Sequence, residues 1–299
     1  MTGRTLGILA CGMVLSACTE TPEFPDREFV PLTNNLQGVY TVTQVDLDDR
    51  EAQWGQAIVG LSSKVSMQNL LREDTDSEGN TTWEVTTQGL EIRGLDSRGL
   101  YKDRRNGSVR LFSDTTHNLL SWMDVNAFRW KLFARQLTDA DNTLVQGEYY
   151  CMAWNNDGAG SEGIDFFSTQ YFGDGSRVDS PVSASPNGRV LVASAYNFSL
   201  ETDGRLTLTN ADLDAAKATR EAALATESAC QPDAGQSGLS SDCQAFAGLY
   251  GAVAMDGDLT FASRIVDGRI KETLAEGEEF DPKDEWGEGG HFEICARKG

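Results

Sequence analysis

The sequence predicts a mainly β fold of antiparallel sheets, forming a sandwich or a barrel-like body, with one surface helix near residues 211–228. Three observations support this. Residues 38–45 alternate in polarity and are rich in β-branched side chains, which is typical of a strand. Turn sequences such as Asp203-Gly204 recur through the second half. Residues 211–228 alone combine an alanine-rich run with a helix start signal.

Most of the remaining chain divides into strand-like segments. Residues 54–71 fit a helical face or an alternating strand, and both interpretations stay open. A long strand is predicted over 189–200, and Asp256-Gly257 and Asp267-Gly268 are each predicted to form hairpin turns. The other predicted strands are 83–87, 90–92, 109–112, 128–133, 147–154, 206–209 and 290–296.

The predicted helix has a cap and a thin apolar face. Asn210 is a good N-cap residue, and Asp212 and Asp214 fall in the first turn, where the helix dipole favours carboxylates. We therefore expect the helix to lie on the surface of a β domain. Its apolar stripe is limited to Leu213, Ala216, Arg220 and Leu224.

A short pattern, hydrophobic-x-Gly-x-Tyr, occurs at 36–40, 145–149 and 246–250. Glycine allows a tight entry into a strand, and tyrosine packs at the end of a sheet. The pattern predicts repeated β units, with one subdomain over 36–144 and a second, disulfide-closed subdomain with the helix over 145–299. Coincident strand starts are the alternative.

The N-terminus has the three parts of a secretory signal. Arg4 supplies a positive charge, residues 6–15 are apolar, and small residues lead into a cysteine. The apolar run is too short to span a membrane, which takes about 20 residues. The sequence Leu15-Ser16-Ala17-Cys18 resembles the lipobox of bacterial lipoproteins.

This resemblance implies that Cys18 is lipidated and becomes the first residue of the mature chain. Residues 1–17 would be the signal peptide, and the proline-containing residues 18–35 an acylated flexible tether. The chain would be held in the cell envelope by lipid. Because Thr19 rather than Asp follows the cysteine, the resemblance favours the outer membrane. A plain secretory signal with a chance cysteine is the alternative.

The net charge and the lengths of the apolar segments limit the kinds of partner and of membrane attachment that this chain can have. The formal net charge of −21 argues against nucleic acid, which requires a basic face. Three explanations of this negative charge stay open: it keeps the protein soluble, it binds divalent cations, or it reflects adaptation to a high-salt environment. No stretch after the signal reaches transmembrane length, so lipid is the expected attachment to the membrane.

Four cysteines remain after the lipidated one, and an even number in an exported chain suggests two disulfides. We favour Cys230–Cys243, because these residues flank a turn-rich loop. That choice leaves Cys151–Cys295, which would join two strand-like segments. Free buried thiols are the alternative.

Two acidic segments are candidate sites. Residues 74–80 resemble the opening of an EF-hand loop, with Asp74, Asp76 and Glu78 as candidate calcium ligands. The twelfth position, however, is Val85 instead of Glu, and a polar hairpin turn explains the segment better. A second acidic loop over 155–165 offers the candidate catalytic carboxylates Asp157, Glu162 and Asp165.

The candidate ligand-binding aromatics are Trp122, Trp130 and Trp154, which could stack on sugars but are more often core residues. With only His117 and His291, a multi-histidine zinc site is impossible.

We expect a non-enzymatic envelope lipoprotein that binds a protein, glycan or cation, or has a structural role. The alternative is a carboxylate-dependent glycan hydrolase of the envelope or extracellular space.

Replacing Cys18 with Ala removes the thiol that would carry the lipid. We expect C18A to move the protein from the membrane fraction to the soluble fraction, measured by immunoblotting of fractionated cells. Cys11→Ala, in the signal itself, should leave the distribution unchanged. Continued retention of C18A in membranes would refute the lipid anchor.

Overall fold

The computed structural model describes residues 36–46, 51–60, 64–75, 81–93, 101–103, 109–114, 116–124, 126, 129–156, 162–182, 194–232, 235, 237–240, 243–270 and 291–299. The predicted fold class is confirmed: the chain forms antiparallel sheets that close into two barrels of eight strands each. Among the helices of these residues, none has the length and apolar character needed to cross a membrane.

The first barrel is a simple meander. Each strand pairs antiparallel with the next, and the last strand pairs with the first to close the sheet. Its strands are β1 (Gly38–Asp46), β2 (Glu51–Val59), β3 (Lys64–Thr75), β4 (Thr81–Arg93), β5 (Tyr101–Asp103), β6 (Val109–Ser113), β7 (Leu119–Asp124) and β8 (Arg129–Arg135).

The second barrel repeats this meander, and its last strand closes on its first. Its strands are β9 (Gly147–Asn156), β10 (Glu162–Tyr171), β11 (Ser176–Pro181), β12 (Ser194–Leu200), β13 (Arg205–Thr209), β14 (Cys243–Ala254), β15 (Leu259–Ile270) and β16 (His291–Arg297). The disulfide Cys151–Cys295 joins directly paired residues of β9 and β16 across the seam where the barrel closes.

The helix α1 (Ala211–Leu224) connects β13 to β14. The Asn210 side chain accepts a hydrogen bond from the Leu213 backbone N–H at 3.0 Å, as its cap position predicts. Leu213 packs into the core of the second barrel, and Leu224 packs against the disulfide Cys230–Cys243. Both ends of the helix are therefore fixed to the barrel.

Several sequence expectations need correction. Of the two interpretations left open for 54–71, the strand is confirmed for 54–59 and 64–71, which lie in β2 and β3, and the helical face is wrong. The expected hairpin at Asp267-Gly268 is wrong, because both residues lie within β15 and pair with β14. The segment 155–165 is not one acidic loop: Asn155, Asn156, Glu162 and Asp165 all lie in strands, and only 157–161 fall outside the described residues. The expected strand over 189–200 is described only from Ser194.

Strand alternation accounts for much of both cores. In β9, Tyr149, Cys151 and Ala153 are buried in the barrel, and the intervening Tyr150 and Met152 are exposed. In β1 the alternation is hidden, because Val42 packs inside the first barrel and Val45 packs against the second.

A tyrosine and an arginine close one end of the first barrel. The Tyr40 ring lies under the Arg135 guanidinium, with 5.3 Å between the Arg135 Cζ and the ring centroid. Arg135 Nη2 donates to the Tyr40 hydroxyl at 2.9 Å, Nη1 to the Gln37 carbonyl at 3.1 Å and Nε to the His117 carbonyl at 3.2 Å. His117 has a φ of 61°. We call this arrangement the closing clamp.

The second barrel has the same closing clamp. The Arg297 guanidinium lies 5.3 Å from the centroid of the Tyr149 ring, and Nη1 donates to the Gln146 carbonyl at 3.3 Å. Arg297 Nε donates to the Gly257 carbonyl at 3.2 Å, and the Tyr149 hydroxyl donates to the same carbonyl at 2.6 Å. Like His117, Gly257 has a positive φ, of 96°.

The recurring Gly-x-Tyr pattern thus has a structural basis at two of its three positions. Gly38 and Gly147 begin the first strand of each barrel, and the tyrosine two residues later enters the closing clamp. The third occurrence differs, because Gly248 and Tyr250 lie inside β14.

The two barrels contact each other through their outer faces. Val45, Leu132 and Ala134 of the first barrel form one buried cluster with residues of the second, among them Phe261 and Phe292. At its edge, the Trp130 and Phe292 rings lie 5.1 Å apart, and the Trp54 and Tyr250 rings 5.5 Å apart. We call this cluster the barrel interface.

The closing clamp of the second barrel predicts a sensitive glycine. A Cβ on Gly257 would lie 2.5 Å from Arg297 Nη2 and 2.6 Å from the Leu144 carbonyl oxygen, at a φ of 96°. We expect Gly257→Ala to lower the free energy of unfolding by about 1–3 kcal/mol, measured by urea titration.

Gly235→Ala is the matched control, because Gly235 also has a positive φ, of 92°, but nothing lies within 4 Å of its added Cβ. The control carries the backbone strain without the collision. Equal losses of stability in the two variants would contradict the role given to the clamp.

Candidate functional site

A charged cluster fills part of the interior of the second barrel. It consists of Arg177 and Asp179 on β11 and His291 and Glu293 on β16. Residues two apart in a strand share a face, so each strand presents its pair on one side. Two strands, β9 and β10, separate β11 from β16 in the sheet, so Arg177 reaches across the interior to meet Glu293.

Arg177 is the centre of the charged cluster. Its Nη1 and Nη2 donate to the two carboxylate oxygens of Glu293 at 2.5 and 3.0 Å, which is the bidentate geometry of a strong ion pair. Its Nε and Nη2 donate to the two oxygens of Asp179 at 2.7 and 3.0 Å. The Arg177 side chain is fully buried, so this pairing compensates a charge that would otherwise be costly.

Aromatic rings surround the guanidinium. The Arg177 Cζ lies 5.3 Å from the ring centroid of Tyr171, 5.4 Å from that of Tyr196 and 5.8 Å from that of Phe167. The Tyr171 hydroxyl accepts a hydrogen bond from Arg177 Nη1 at 3.1 Å. These rings exclude water from the ion pairs and add cation–π attraction.

The charged cluster approaches solvent through two members. The Asp179 side chain is 13% exposed and that of His291 is 18% exposed, whereas Glu293 is buried. His291 Nε2 lies 3.0 Å from Glu293 Oε2, so the histidine covers the carboxylate on the solvent side. The cluster is therefore an interior feature with a narrow polar contact to the outside.

The surroundings set the protonation of each group. Burial alone would raise the pKa of Glu293, but the Arg177 guanidinium and the hydrogen bond with His291 bring that pKa down to about 2. Burial raises the pKa of Asp179, and Arg177 offsets this only in part. Burial also raises the pKa of Tyr171 to about 12. At neutral pH, Glu293 is ionised and Tyr171 is a neutral hydroxyl.

This geometry suits a structural brace better than acid–base chemistry. A general acid or base must exchange a proton with a bound molecule at hydrogen-bond distance. Both Glu293 and Asp179 instead direct two oxygens at one arginine. Within the described residues, no group of three or more His, Cys, Asp or Glu side chains is placed to hold a metal ion.

The first barrel carries a charge of opposite sign at the matching place. Lys131 lies four residues before the clamp arginine Arg135, as Glu293 lies four before Arg297. Lys131 is buried, and its Nζ lies 4.4 Å from the centroid of the Trp122 ring. Buried Asp124 and Gln44 lie on the neighbouring strands β7 and β1.

The candidate carboxylates do not come together as a described site. Asp165 is buried in β10, where it pairs with Ala153 of β9. Glu162 begins β10 opposite Asn156, and Asp157 lies outside the described residues. Of the candidate calcium ligands, Asp74 lies near the end of β3, and Asp76 and Glu78 lie outside the described residues.

The three tryptophans occupy different places. Trp122 lies inside the first barrel and is 5% exposed. Trp130 and Trp154 are partly buried against the barrel interface, and Trp130 Nε1 donates to Ser121 Oγ at 2.7 Å. The contacts of all three are with the protein's own core.

An exposed apolar face lies on the outside of the second barrel. It consists of Tyr150 and Met152 on β9 and Ile164 and Phe166 on β10, which are between 37% and 49% exposed. Met152 pairs directly with Phe166 in the ladder, so the four side chains form one continuous surface. We call these four residues the apolar face.

Neither the charged cluster nor the apolar face was predicted from the sequence. In 291–295 the inward residues are polar or cysteine and the outward ones apolar, because the outer side meets the other barrel. In 149–153 both alternating sets are apolar apart from tyrosine hydroxyls, which is typical of a strand covered on both sides. That two-sided pattern was the available signal for the apolar face.

The low pKa of Glu293 predicts a defined acid sensitivity. Because this pKa is about 2 in the folded protein and 4.5 in the reference state, ionised Glu293 stabilises the fold above pH 4.5, and this contribution is lost as the pH falls toward 2. Glu293→Gln should remove that acid dependence and lower the neutral-pH free energy of unfolding by about 3 kcal/mol, since Arg177 loses a charged partner. Urea titrations across this pH range measure both effects.

Glu148→Gln is the control, because Glu148 pairs with Lys298 at 2.9 Å on the surface. Surface pairs contribute little to stability, because solvent screens the two charges. If the two variants showed the same acid dependence and the same loss of stability, the ion pair of Glu293 with Arg177 would not have the stabilising role given to it.

No known family model matches this chain, and no curated protein matches its sequence. The solved structures that are similar to this chain at a low level include the following two. The isotype 1 transferrin binding protein B from serogroup B Neisseria meningitidis is 7% identical, over 87% of this chain and 44% of that one, with a TM-score of 0.33. A protein of unknown function from the DUF3598 family, from Nostoc punctiforme, is 10% identical, over 89% of this chain and 97% of that one, with a TM-score of 0.26. This chain thus spans less than half the length of the first. At these TM-scores neither similarity identifies a family or a function.

Proposed function

We propose that this chain is a lipoprotein of the cell envelope, anchored through lipid on Cys18 and held at the outer membrane, which binds a protein partner without catalysing a reaction. The lipobox-like sequence supports the anchor, and residues 18–35 would serve as the tether. The folded body would then be a binding module presented next to a membrane.

The observation that carries the binding role is the apolar face. Large exposed apolar groups that adjoin one another mark interaction surfaces more often than isolated ones do. Tyr150 and Phe166 contribute large rings to this surface, and Met152 contributes a side chain that adapts to different shapes. Aromatic residues and methionine are enriched in protein interfaces.

The interior of the second barrel favours binding over catalysis. The ion pairs of Arg177 occupy Glu293 and Asp179, the two carboxylates of the charged cluster. Asp165, a candidate catalytic residue, is buried. A hydrolase would need carboxylates that reach a bound substrate.

The composition of the apolar face favours a protein partner over a glycan. Stacking on a sugar requires an accessible ring face, and Trp122 is inside a barrel. The exposed groups of the apolar face include aliphatic Met152 and Ile164, which suit the mixed apolar centre of a protein interface.

Site-specific photo-crosslinking in intact envelopes tests this proposal. A photo-reactive amino acid at position 152 should give discrete protein adducts on a denaturing gel, because that position lies in the centre of the apolar face. The same group at position 112 is the control, since Phe112 is 43% exposed on the first barrel. If position 152 gave no adducts, or the same adducts as position 112, the proposed role of the apolar face would be abandoned.

A further inference from the structure

The apolar face is continuous with a surface that already binds a barrel. Along β9, Tyr150 and Met152 lead directly to Trp154, which packs against the barrel interface. On the neighbouring strand, Ile294 pairs with Met152 and also packs against that interface. One outer wall of the second barrel is therefore partly covered by the first barrel and partly exposed.

The covered part shows what kind of surface this wall accepts. Where it is buried, its partner is the outer face of another eight-stranded barrel, with small and aliphatic residues such as Ala134 and Leu132 against aromatic rings such as Phe292. The exposed part has the same chemistry, with Met152 and Ile164 beside the Phe166 ring. A surface of this composition can pack against a copy of itself.

We propose that the apolar face is a self-association surface, and that its occupant is the same face of a second copy of this chain. This inference rests on the proposed function, since it names the protein partner. A two-fold contact is isologous, so that one residue near the axis meets its own equivalent and the others meet reciprocally. The central Met152–Phe166 pair would then pack against the Phe166–Met152 pair of the other copy.

Charge gives this contact a recognisable signature. Each copy has a formal net charge of −21, so two copies repel one another at long range. Salt screens this repulsion and leaves apolar burial intact, with a screening length of about 10 Å at 0.1 M. Self-association should therefore strengthen with salt, whereas binding of a basic partner should weaken.

Lipid is the competing occupant. A peripheral membrane surface usually combines apolar anchors with Lys or Arg that attract anionic headgroups. Lys298 lies beside the apolar face, with its Nζ 5.4 Å from the centroid of the Tyr150 ring, and this Nζ is paired with Glu148 at 2.9 Å. Because this ammonium group is already paired, it adds little attraction for anionic headgroups, and this favours the second copy over lipid.

Sedimentation equilibrium of the purified full chain in its C18A form tests the inference. We expect a monomer–dimer equilibrium whose dissociation constant falls at least about threefold between about 0.05 M and 0.5 M NaCl. Phe166→Asp and Met152→Asp should each raise this constant at least about tenfold, because each places a charge at the centre of the contact. Phe112→Asp, on the first barrel, should leave it within about twofold. Thermal unfolding verifies that each variant is folded. The salt dependence of the dissociation constant is measured on the chain with an unchanged apolar face, so this part of the test does not depend on the folding of a variant.

Three outcomes overturn the inference. The first is a monomer at every concentration up to about 100 μM at both salt concentrations. The second is a dimer that Phe166→Asp and Met152→Asp leave intact. The third is a monomer that floats with phosphatidylcholine vesicles and loses this binding in Phe166→Asp, which would assign the face to lipid. If the chain is monomeric while position 152 still crosslinks a different protein, the proposed function survives and only self-association fails.

Discussion

Closure of the sheet is the constraint on which both halves of this molecule depend. A barrel has no free edge only if its first and last strands meet in register, and the chain must bring together residues more than a hundred positions apart in the second barrel. The closing clamp achieves this at one end. A guanidinium on the last strand lies over a tyrosine on the first and binds the backbone of the turn that leads into the last hairpin. Because the clamp uses backbone carbonyls as acceptors, the two barrels share it although their cores differ.

Inside the second barrel, the interaction between Arg177 and Glu293 has a different character from apolar packing. It is directional, and it connects strands on opposite sides of the interior. Burying such a pair gains little stability compared with a well-packed apolar core, because each ion loses its hydration. We infer that the pair contributes to specificity, since another register of β11 or β16 would leave a buried charge alone. At the matching position of the first barrel, Lys131 lies against the ring of Trp122. The two barrels therefore share one strand arrangement but bury different polar groups.

Much of the fold could be read from the sequence, because the determining signals are local. Alternation, turn residues and the Asn210 cap predicted about half of the strands and the helix, whereas β5, β7, β10 and β11 were not predicted. The failure at Asp267-Gly268 has a local cause as well: the dipeptide is a common turn, but pairing of β14 with β15 continues through it. The charged cluster could not be predicted, because Arg177 and Glu293 are 116 residues apart and only the closure of the sheet brings them together. The apolar face was hidden for another reason, since apolar residues on both sides of β9 say nothing about which side is covered.

The disulfide at the seam also determines how the molecule responds to tension. Cys151 and Cys295 are 144 positions apart in the sequence, and they lie near the beginning and the end of the second barrel. A force applied between the two ends of the chain passes through this covalent bond and bypasses nearly all of the second barrel. In the first barrel, the described contacts between β1 and β8 are noncovalent and include the hydrogen bonds of their ladder and the closing clamp, so pulling the ends apart would unzip this barrel first. A body held at one end by a membrane anchor would thus have an extensible half next to the tether and an inextensible half beyond it.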